Sequence, residues 1–104
     1  MATITLNSLK CVKLQDSISE DEIEVRINGI KVGGPYGVHK GDTVQLGQTR
    51  SFTGATSVQL VELDGNARPD NLGIRTVGDD PVTGVNLNFD AANNAFYTVN
   101  YTVR

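Results

Sequence analysis

Two segments of the chain concentrate carboxylates. The first runs from Asp16 to Glu22 (DSISEDE) and the second from Glu62 to Asp70 (ELDGNARPD). Side chains two residues apart on a strand point to the same face, so Glu62 and Asp64 are expected to face the same way. If the two segments meet at one end of the fold, carboxylates converge from Asp16, Glu22, Glu62, Asp64 and Asp70. Such a set of negative charges repels itself unless a cation lies between its members.

Oxygen donors of this kind favour calcium. Carboxylates are hard ligands, and the absence of His and Cys from the set disfavours zinc and copper. Asp21, in the first acidic segment, is a further candidate ligand. The spacing does not match an EF-hand loop, whose ligands alternate before a fixed Gly and end in Glu. The alternative is that Asp-Gly and Pro-Asp-Asn simply form turns, because acidic loops on a sandwich that binds no ion would look similar.

The other reactive residue types predict no catalysis. The chain has no Gly-x-Ser-x-Gly elbow, Walker loop, zinc-protease helix or Cys-x-x-Cys pair. The single histidine, His39, lies in the Gly-rich stretch 33–41 and is expected to be a solvated loop residue. Cys11 lies inside a predicted strand, where a small buried hydrophobe is the default interpretation. Because no base–nucleophile pair is visible, we predict that the protein is not an enzyme.

Length and charge narrow the class further. A chain of 104 residues holds one core, so we predict a single domain over residues 1–104. The formal net charge of −3 argues against nucleic acid as a partner, since its phosphates require a dense Lys and Arg face. One cysteine excludes an internal disulfide. The first residues lack the basic and apolar regions of a signal peptide, which predicts the cytoplasm by default and leaves export by a non-classical route open.

The elements that position the acids are predicted to be strands. Val, Ile and Thr are abundant, and Gly, Asn and Asp break the chain about every eight to twelve residues. This rhythm predicts an all-β fold, a single antiparallel β-sandwich of about eight strands. A change of alternation near Asn7 and Ser8 predicts a bulge in the first strand. The predicted strands are 3–14, 22–27, 30–32, 43–52, 57–64, 72–77, 85–89 and 96–103.

The dipeptide Asn28-Gly29 gives the clearest local signal. It supplies the positive φ angles of a two-residue hairpin turn, which sets Arg26 opposite Lys31. Like charges directly opposite each other on paired strands destabilise the sheet by on the order of 0.5 kcal/mol. Such a pair is tolerated when it is solvated, and it would attract an anionic headgroup or an acidic partner. We therefore include both residues among the predicted membrane or partner contacts.

The spacing of the acids resembles that of the C-two domain, the synaptotagmin-type calcium- and phospholipid-binding sandwich. In that family an Asp opens the first calcium loop and a second acid follows six residues later, as Asp16 and Glu22 do here. The third loop of the family carries two acids separated by one residue, then a third acid six residues later followed by x-Leu-Gly. Glu62, Asp64 and the run Asp70-Asn71-Leu72-Gly73 reproduce that pattern.

The resemblance covers residues 16–32 and 57–77. Because the first acidic loop follows the first strand, it implies the circularly permuted topology that the family also uses. The chain departs from the family pattern at Glu22 and Glu62, where Asp is more usual, and at Ile23-Glu24, where Pro-Tyr often follows the first loop.

The resemblance also implies a contact surface beside the acidic loops. It places residues 33–41 as the middle loop at the same end, which brings Tyr36 and Val38 near Ile18. Apolar residues at the tips of ion-binding loops can insert into a lipid interface, as the family's do. The alternative is that Tyr36 and Val38 close the end of the sandwich. Arg68, in the second acidic segment, is assigned to the same predicted contact surface.

These patterns predict a non-enzymatic, calcium-binding β-sandwich module that associates with an anionic membrane surface or a partner protein when calcium is bound. The ion would bridge the acidic loops to phosphate or carboxylate groups that the net charge otherwise repels. The competing interpretation is an ion-independent structural or protein-interaction sandwich, such as a subunit of a larger assembly.

Overall fold

The chain folds almost entirely into strands. The computed structural model describes residues 1–14, 20–63, 69–90 and 95–104. Within these ranges there are nine strands and no helix, and hence no helix that could span a membrane. In chain order the strands are β1 (Ala2–Lys13), β2 (Asp21–Ile27), β3 (Ile30–Val38), β4 (Thr43–Gln45), β5 (Thr49–Phe52), β6 (Ala55–Glu62), β7 (Asp70–Gly78), β8 (Val82–Phe89) and β9 (Phe96–Val103).

The strands form two antiparallel sheets that face each other. In sheet A the order is β4-β1-β9-β8, and β5 pairs with β1 beyond the end of β4. In sheet B the order is β3-β2-β6-β7. The predicted all-β antiparallel sandwich is therefore confirmed. The described residues contain nine strands in place of about eight because the strand predicted at 43–52 is divided into β4 and β5.

The interruption between β4 and β5 has a local cause. β1 carries the predicted bulge, where its register with β9 shifts between Leu6 and Ser8. Opposite the bulge, the edge of the sheet turns at Gly47, which adopts a φ of +86°. The backbone N–H of Leu46 donates to the carbonyl of Asn7 (3.0 Å), and that of Gly47 donates to the carbonyl of Leu6 (2.7 Å). A kink in a central strand thus divides the edge strand beside it.

The same bulge keeps one side of β1 continuously buried. Before it the inward residues are Ile4 and Leu6, and after it they are Leu9 and Cys11, all with no exposed surface. Without the extra residue, the second half of the strand would turn its apolar side chains to solvent. The core between the sheets is completed mainly by buried residues of β2, β3, β6, β7, β8 and β9: Ile23, Val25, Ile27, Val38, Val58, Leu60, Leu72, Val77, Phe89, Tyr97, Val99 and Val103.

Strand β3 extends to Val38, whereas the sequence predicted a strand over 30–32 and a Gly-rich loop over 33–41. The loop prediction is wrong for residues 33–38. Pairing between β2 and β3 continues to the pair Asp21 and Val38, so only residues 39–42 connect β3 to β4. Gly34 makes this continuation possible. It has a φ of +97°, and a Cβ at this position would collide with the carbonyl oxygen of Ile23. Only glycine fits this close approach of two backbones.

The strand order brings the acidic segments to one end of the sandwich, which we call the acidic end. β2 begins there at Asp21, β6 ends there at Glu62, and β7 begins there at Asp70. The turn Asn28-Gly29 lies at the other end, which we call the hairpin end. Since β2 spans seven residues at about 3.3 Å each, roughly 20 Å separates the two ends along this strand.

Candidate metal site at the acidic end

Three carboxylates share the inner face of sheet B at the acidic end. Glu62 lies directly opposite the inward-facing Ile23 of β2, and Asp70 lies directly opposite Glu62. Directly opposite residues of antiparallel strands project to the same face. Asp21 precedes Ile23 by two positions and therefore projects the same way. The two acidic segments predicted to meet at one end do so at their strand-borne residues.

The first acidic segment contributes Asp21, not Glu22, to this inner face. Asp21 is 1% exposed and Glu62 is 7% exposed, whereas Asp70 is half-buried. Glu22 is exposed, lies opposite Gly37 and projects to the outer face of sheet B. Glu22 was predicted as a main ligand and Asp21 as an additional one. The alternation of β2 puts Asp21 on the inner face and Glu22 on the outer face.

The other predicted site residues of the two acidic segments lie outside the described ranges. They are Asp16, Ile18, Asp64 and Arg68. Among the residues that are described, no group of three or more His, Cys, Asp or Glu side chains is close enough to hold a metal ion. The inner-face donors are all carboxylate oxygens, which suit a hard cation such as calcium. The three strand acids do not by themselves form a metal-binding group.

Asp21 also belongs to a buried polar contact that crosses the sandwich. The hydroxyl of Tyr97, in sheet A, donates a hydrogen bond to Oδ2 of Asp21 in sheet B. Cys11 lies opposite Tyr97 in the β1–β9 ladder and its thiol is in hydrogen-bond contact with the same hydroxyl. Burial, reinforced by the bond to Asp21, raises the pKa of Tyr97 far above its ordinary value of 10.0. Burial likewise raises the pKa of the Cys11 thiol above 9.0.

Cys11 is thus the buried, protonated hydrophobe that the sequence predicted. Tyr97 was not among the predicted site residues. It lies 76 positions from Asp21 in the chain, and no local sequence pattern predicts a contact over that separation.

Replacing Tyr97 by Phe is expected to lower the free energy of unfolding by about 2 kcal/mol, because a buried hydrogen bond to a charged group contributes about 1.5–3 kcal/mol. Urea denaturation measures the change. Tyr101→Phe is the matched control, since it also removes one phenol hydroxyl from β9 and leaves Asp21 untouched. If both variants unfold at the same urea concentration, the bond to Asp21 does not stabilise the acidic end.

His39 contacts two further acids at the acidic end. Nε2 of His39 lies 3.6 Å from Oε2 of Glu20, and Nδ1 lies 3.4 Å from Oδ2 of Asp42. The backbone N–H of His39 also donates to Oδ2 of Asp42 at 2.8 Å. His39 is exposed as predicted, and polar contacts at that exposure stabilise little. Glu20 and Asp42 were missed because neither matches a spacing motif.

The run Asp70-Asn71-Leu72-Gly73 has a structural role of its own. The β6–β7 ladder shifts register between Leu60 and Val61, and Gly73 takes a φ of +132° there. Oδ1 of Asn71 accepts the backbone N–H of Gly73 at 3.0 Å, which closes the turn of the bulge. The x-Leu-Gly part of the motif therefore shapes the start of β7, which carries Asp70.

Two of the predicted contact residues lie within β3. Val38 has no exposed surface and belongs to the core. Tyr36 is half-buried, and its hydroxyl accepts a hydrogen bond from Nε2 of Gln48 at 2.9 Å. The expected loop position of Tyr36 and Val38 is therefore wrong. The alternative, that both residues close the sandwich, agrees with the contacts of Tyr36 and the burial of Val38.

The predicted pairing of Arg26 with Lys31 is confirmed by the register of β2 and β3. The like charges are offset by a neighbour that sequence reasoning missed. Nε of Arg26 donates to Oε2 of the buried Glu24 at 2.5 Å, while Lys31 is exposed. Both cations lie on the outer face of sheet B.

Comparisons with known proteins bear on the fold. No family model matches the chain, and no curated protein matches its sequence. Among solved structures, the chain is similar to the C-two A domain of a plant extended synaptotagmin 1. The TM-score is 0.55 at 8% sequence identity, and the match covers 99% of this chain and 92% of that domain. The chain thus has a C-two-like β-sandwich fold, as its acid spacing led us to expect.

Proposed function

We propose that this protein is a non-enzymatic module that binds calcium at the acidic end and associates with an anionic membrane surface when the ion is bound. The observation that supports this most is the placement of three carboxylates. Asp21, Glu62 and Asp70 come from three strands and project from the same face at the same end of a C-two-like sandwich. Carboxylate oxygens from several elements are the donors that calcium prefers.

The proposed site combines these strand acids with the loop acids. Asp21, Glu62 and Asp70 supply oxygens at its base, while Asp16 and Asp64 supply them from the loops. Glu22 projects to the outer face of sheet B, away from the three strand acids. A bound calcium ion would supply positive charge that can also accept a lipid phosphate or a carboxylate. Its binding would reverse the local repulsion between an acidic protein and an anionic surface.

The cations on the outer face of sheet B, close to the hairpin end, form a second proposed contact for a membrane that lies along this face. Lys31 is exposed, and Arg26 lies directly beside it. Attraction of a basic residue to an anionic membrane is worth about 1 kcal/mol. Ile18 and Arg68, in the two acidic segments, are proposed to meet the headgroup region from the loops. Of the β3 pair, Tyr36 retains partial exposure, and Val38 is excluded by its burial.

Sedimentation with liposomes tests this proposal. Vesicles containing phosphatidylserine are expected to retain the protein in calcium and release it when a chelator is added, whereas neutral vesicles retain it in neither condition. Asp70→Asn and Asp64→Asn are expected to abolish retention. Asp80→Asn, an equal change of charge between β7 and β8 at the hairpin end, is expected to retain it.

Lys31→Ala is expected to weaken liposome binding about fivefold, the equivalent of about 1 kcal/mol. Lys10→Ala removes the same charge from the other sheet and is the control. Retention that is equal in calcium and chelator would contradict the proposal. Calcium binding without retention would instead point to a protein partner or to a structural ion.

A second candidate function has its own support. Asp21 is hydrogen-bonded to Tyr97, and the described residues contain no assembled cluster of metal ligands. Both observations favour an ion-independent sandwich that serves as a structural or protein-interaction module. Such a module would show no response to calcium in stability or in binding.

A further inference from the structure

A pocket opens between the two sheets at the hairpin end, away from the acidic end. Its volume is about 300 Å³, at the lower limit of the range for small-molecule sites. The β2–β3 hairpin forms one wall and β5 forms the other, with the first residues of β6 between them. None of the three strand-borne acids of the proposed calcium site lies at this end of the molecule.

One side of the pocket is apolar. Ile27 and Ile30 line it from the hairpin, and Phe52 and Ala55 line it from β5 and β6. Ile30 lies opposite the buried Ile27 and so faces inward, yet it is 65% exposed. A large apolar side chain on the inner face of a sandwich normally packs against the other sheet. Here the opening of the pocket leaves it in contact with solvent.

A single cation lies on the other side. Arg50 is opposite the fully buried Ile4 in the β1–β5 ladder, so it projects toward the gap between the sheets. Its Nη1 donates to the carbonyl of its neighbour Thr49 at 2.6 Å. Within the described part of the chain, no carboxylate lies within ion-pair distance of Arg50. The remaining guanidinium donors are thus available to an anion.

Hydroxyl groups stand beside this cation. Thr53 and Thr56 line the pocket together with Ser51. The pocket therefore presents one fork-shaped cation, hydroxyl donors and an apolar wall. A guanidinium matches a carboxylate in a planar, two-bond geometry.

From this arrangement we propose that the pocket binds a small amphiphilic carboxylate, with its carboxylate on Arg50 and its hydrocarbon body against Ile30 and Phe52. The charge complementarity decides the sign of the ligand, and the volume restricts it to a small molecule. The inference is independent of calcium binding, because the pocket and the acidic end lie at opposite ends of β2.

Amide NMR titration tests the proposal, with octanoate as the probe and octanol as its neutral counterpart. Octanoate is expected to shift the signals of Ile30, Phe52 and Thr53 in a saturable way. Octanol is expected to bind at least tenfold more weakly. Arg50→Gln should weaken octanoate binding on the order of tenfold to a hundredfold, as expected for hydrogen bonds to a charged group. It should leave the affinity for octanol unchanged.

Lys40→Gln is the matched control, because it removes one exposed positive charge near the acidic end. Its affinity for octanoate should equal that of the original protein. Ile30→Ser should weaken octanoate and octanol alike, and unchanged signals outside the pocket verify that each variant is folded. The proposal would be overturned if octanoate and octanol bound with equal affinity, or if Arg50→Gln bound octanoate as tightly as the original protein. Shifts confined to residues outside the pocket would also overturn it.

Discussion

Calcium is expected to raise the melting temperature of this protein by roughly 10–20 °C. A ligand that binds the native state alone adds about 2.7 kcal/mol when its concentration is a hundred times its dissociation constant. For a domain of this size, each kcal/mol shifts the melting temperature by about 4–8 °C. Differential scanning calorimetry in chelator and in calcium measures the effect. Magnesium is expected to give much less, because it keeps its water shell and requires octahedral geometry.

Paired substitutions locate the ion. Asp70→Asn removes a carboxylate from the acidic end and is expected to abolish most of the calcium-dependent shift. Asp80→Asn removes the same charge from the hairpin end and is expected to leave the shift intact. If the melting temperature is the same in chelator and in saturating calcium, the calcium site does not exist and the ion-independent sandwich becomes the leading function.

Stability is also expected to fall steeply in alkaline solution. Cys11 and Tyr97 both have raised pKa values in the folded state, so each keeps its proton at a pH where the unfolded chain has lost it. The unfolded chain then binds fewer protons, and stability decreases as pH rises. The contribution is fully present below the ordinary pKa of 9.0 for the thiol. Above pH 10.0, where the unfolded chain also loses the phenol proton, Tyr97 contributes a loss that approaches about 1.4 kcal/mol per pH unit.

Urea denaturation at a series of pH values checks this expectation. Tyr97→Phe should remove the slope that Tyr97 contributes above pH 10.0, and Cys11→Val should remove the part that begins near pH 9.0. Tyr101→Phe is the control for a phenol elsewhere in β9. A slope that is the same in all three variants would show that the buried contact between Asp21, Tyr97 and Cys11 does not control alkaline stability.

Local chemistry determined much of the strand pattern. Asn28-Gly29 encodes a two-residue turn through its positive φ angles, and this alone sets Arg26 opposite Lys31. The last strand, Phe96–Val103, was predicted with the bounds that β9 shows in the structure. The bulge near Asn7 could also be predicted, because a change of alternation within an apolar strand must be absorbed by one extra residue.

Long-range pairing decided the rest of the fold. The sequence predicted one strand over 43–52, since its own residues give no reason to stop. The division arises from the bulge in β1, which is distant in the chain and adjacent in the sheet. The length of β3 likewise depends on β2 lying close enough to exclude any side chain at Gly34.

The candidate sites were also predicted in part from the sequence and in part determined by long-range pairing. From the sequence, the meeting of the two acidic segments was only a condition, and the strand order β3-β2-β6-β7 brings their strand-borne residues to one end. Which acid faces inward was decided by register: pairing of Ile23 with Glu62 places Asp21 inside and Glu22 outside. The contact with Tyr97 and the pocket at Arg50 each join residues from different sheets. The sequence determines which segments form strands and turns. Which side chains contact each other across the core depends on how the two sheets pack.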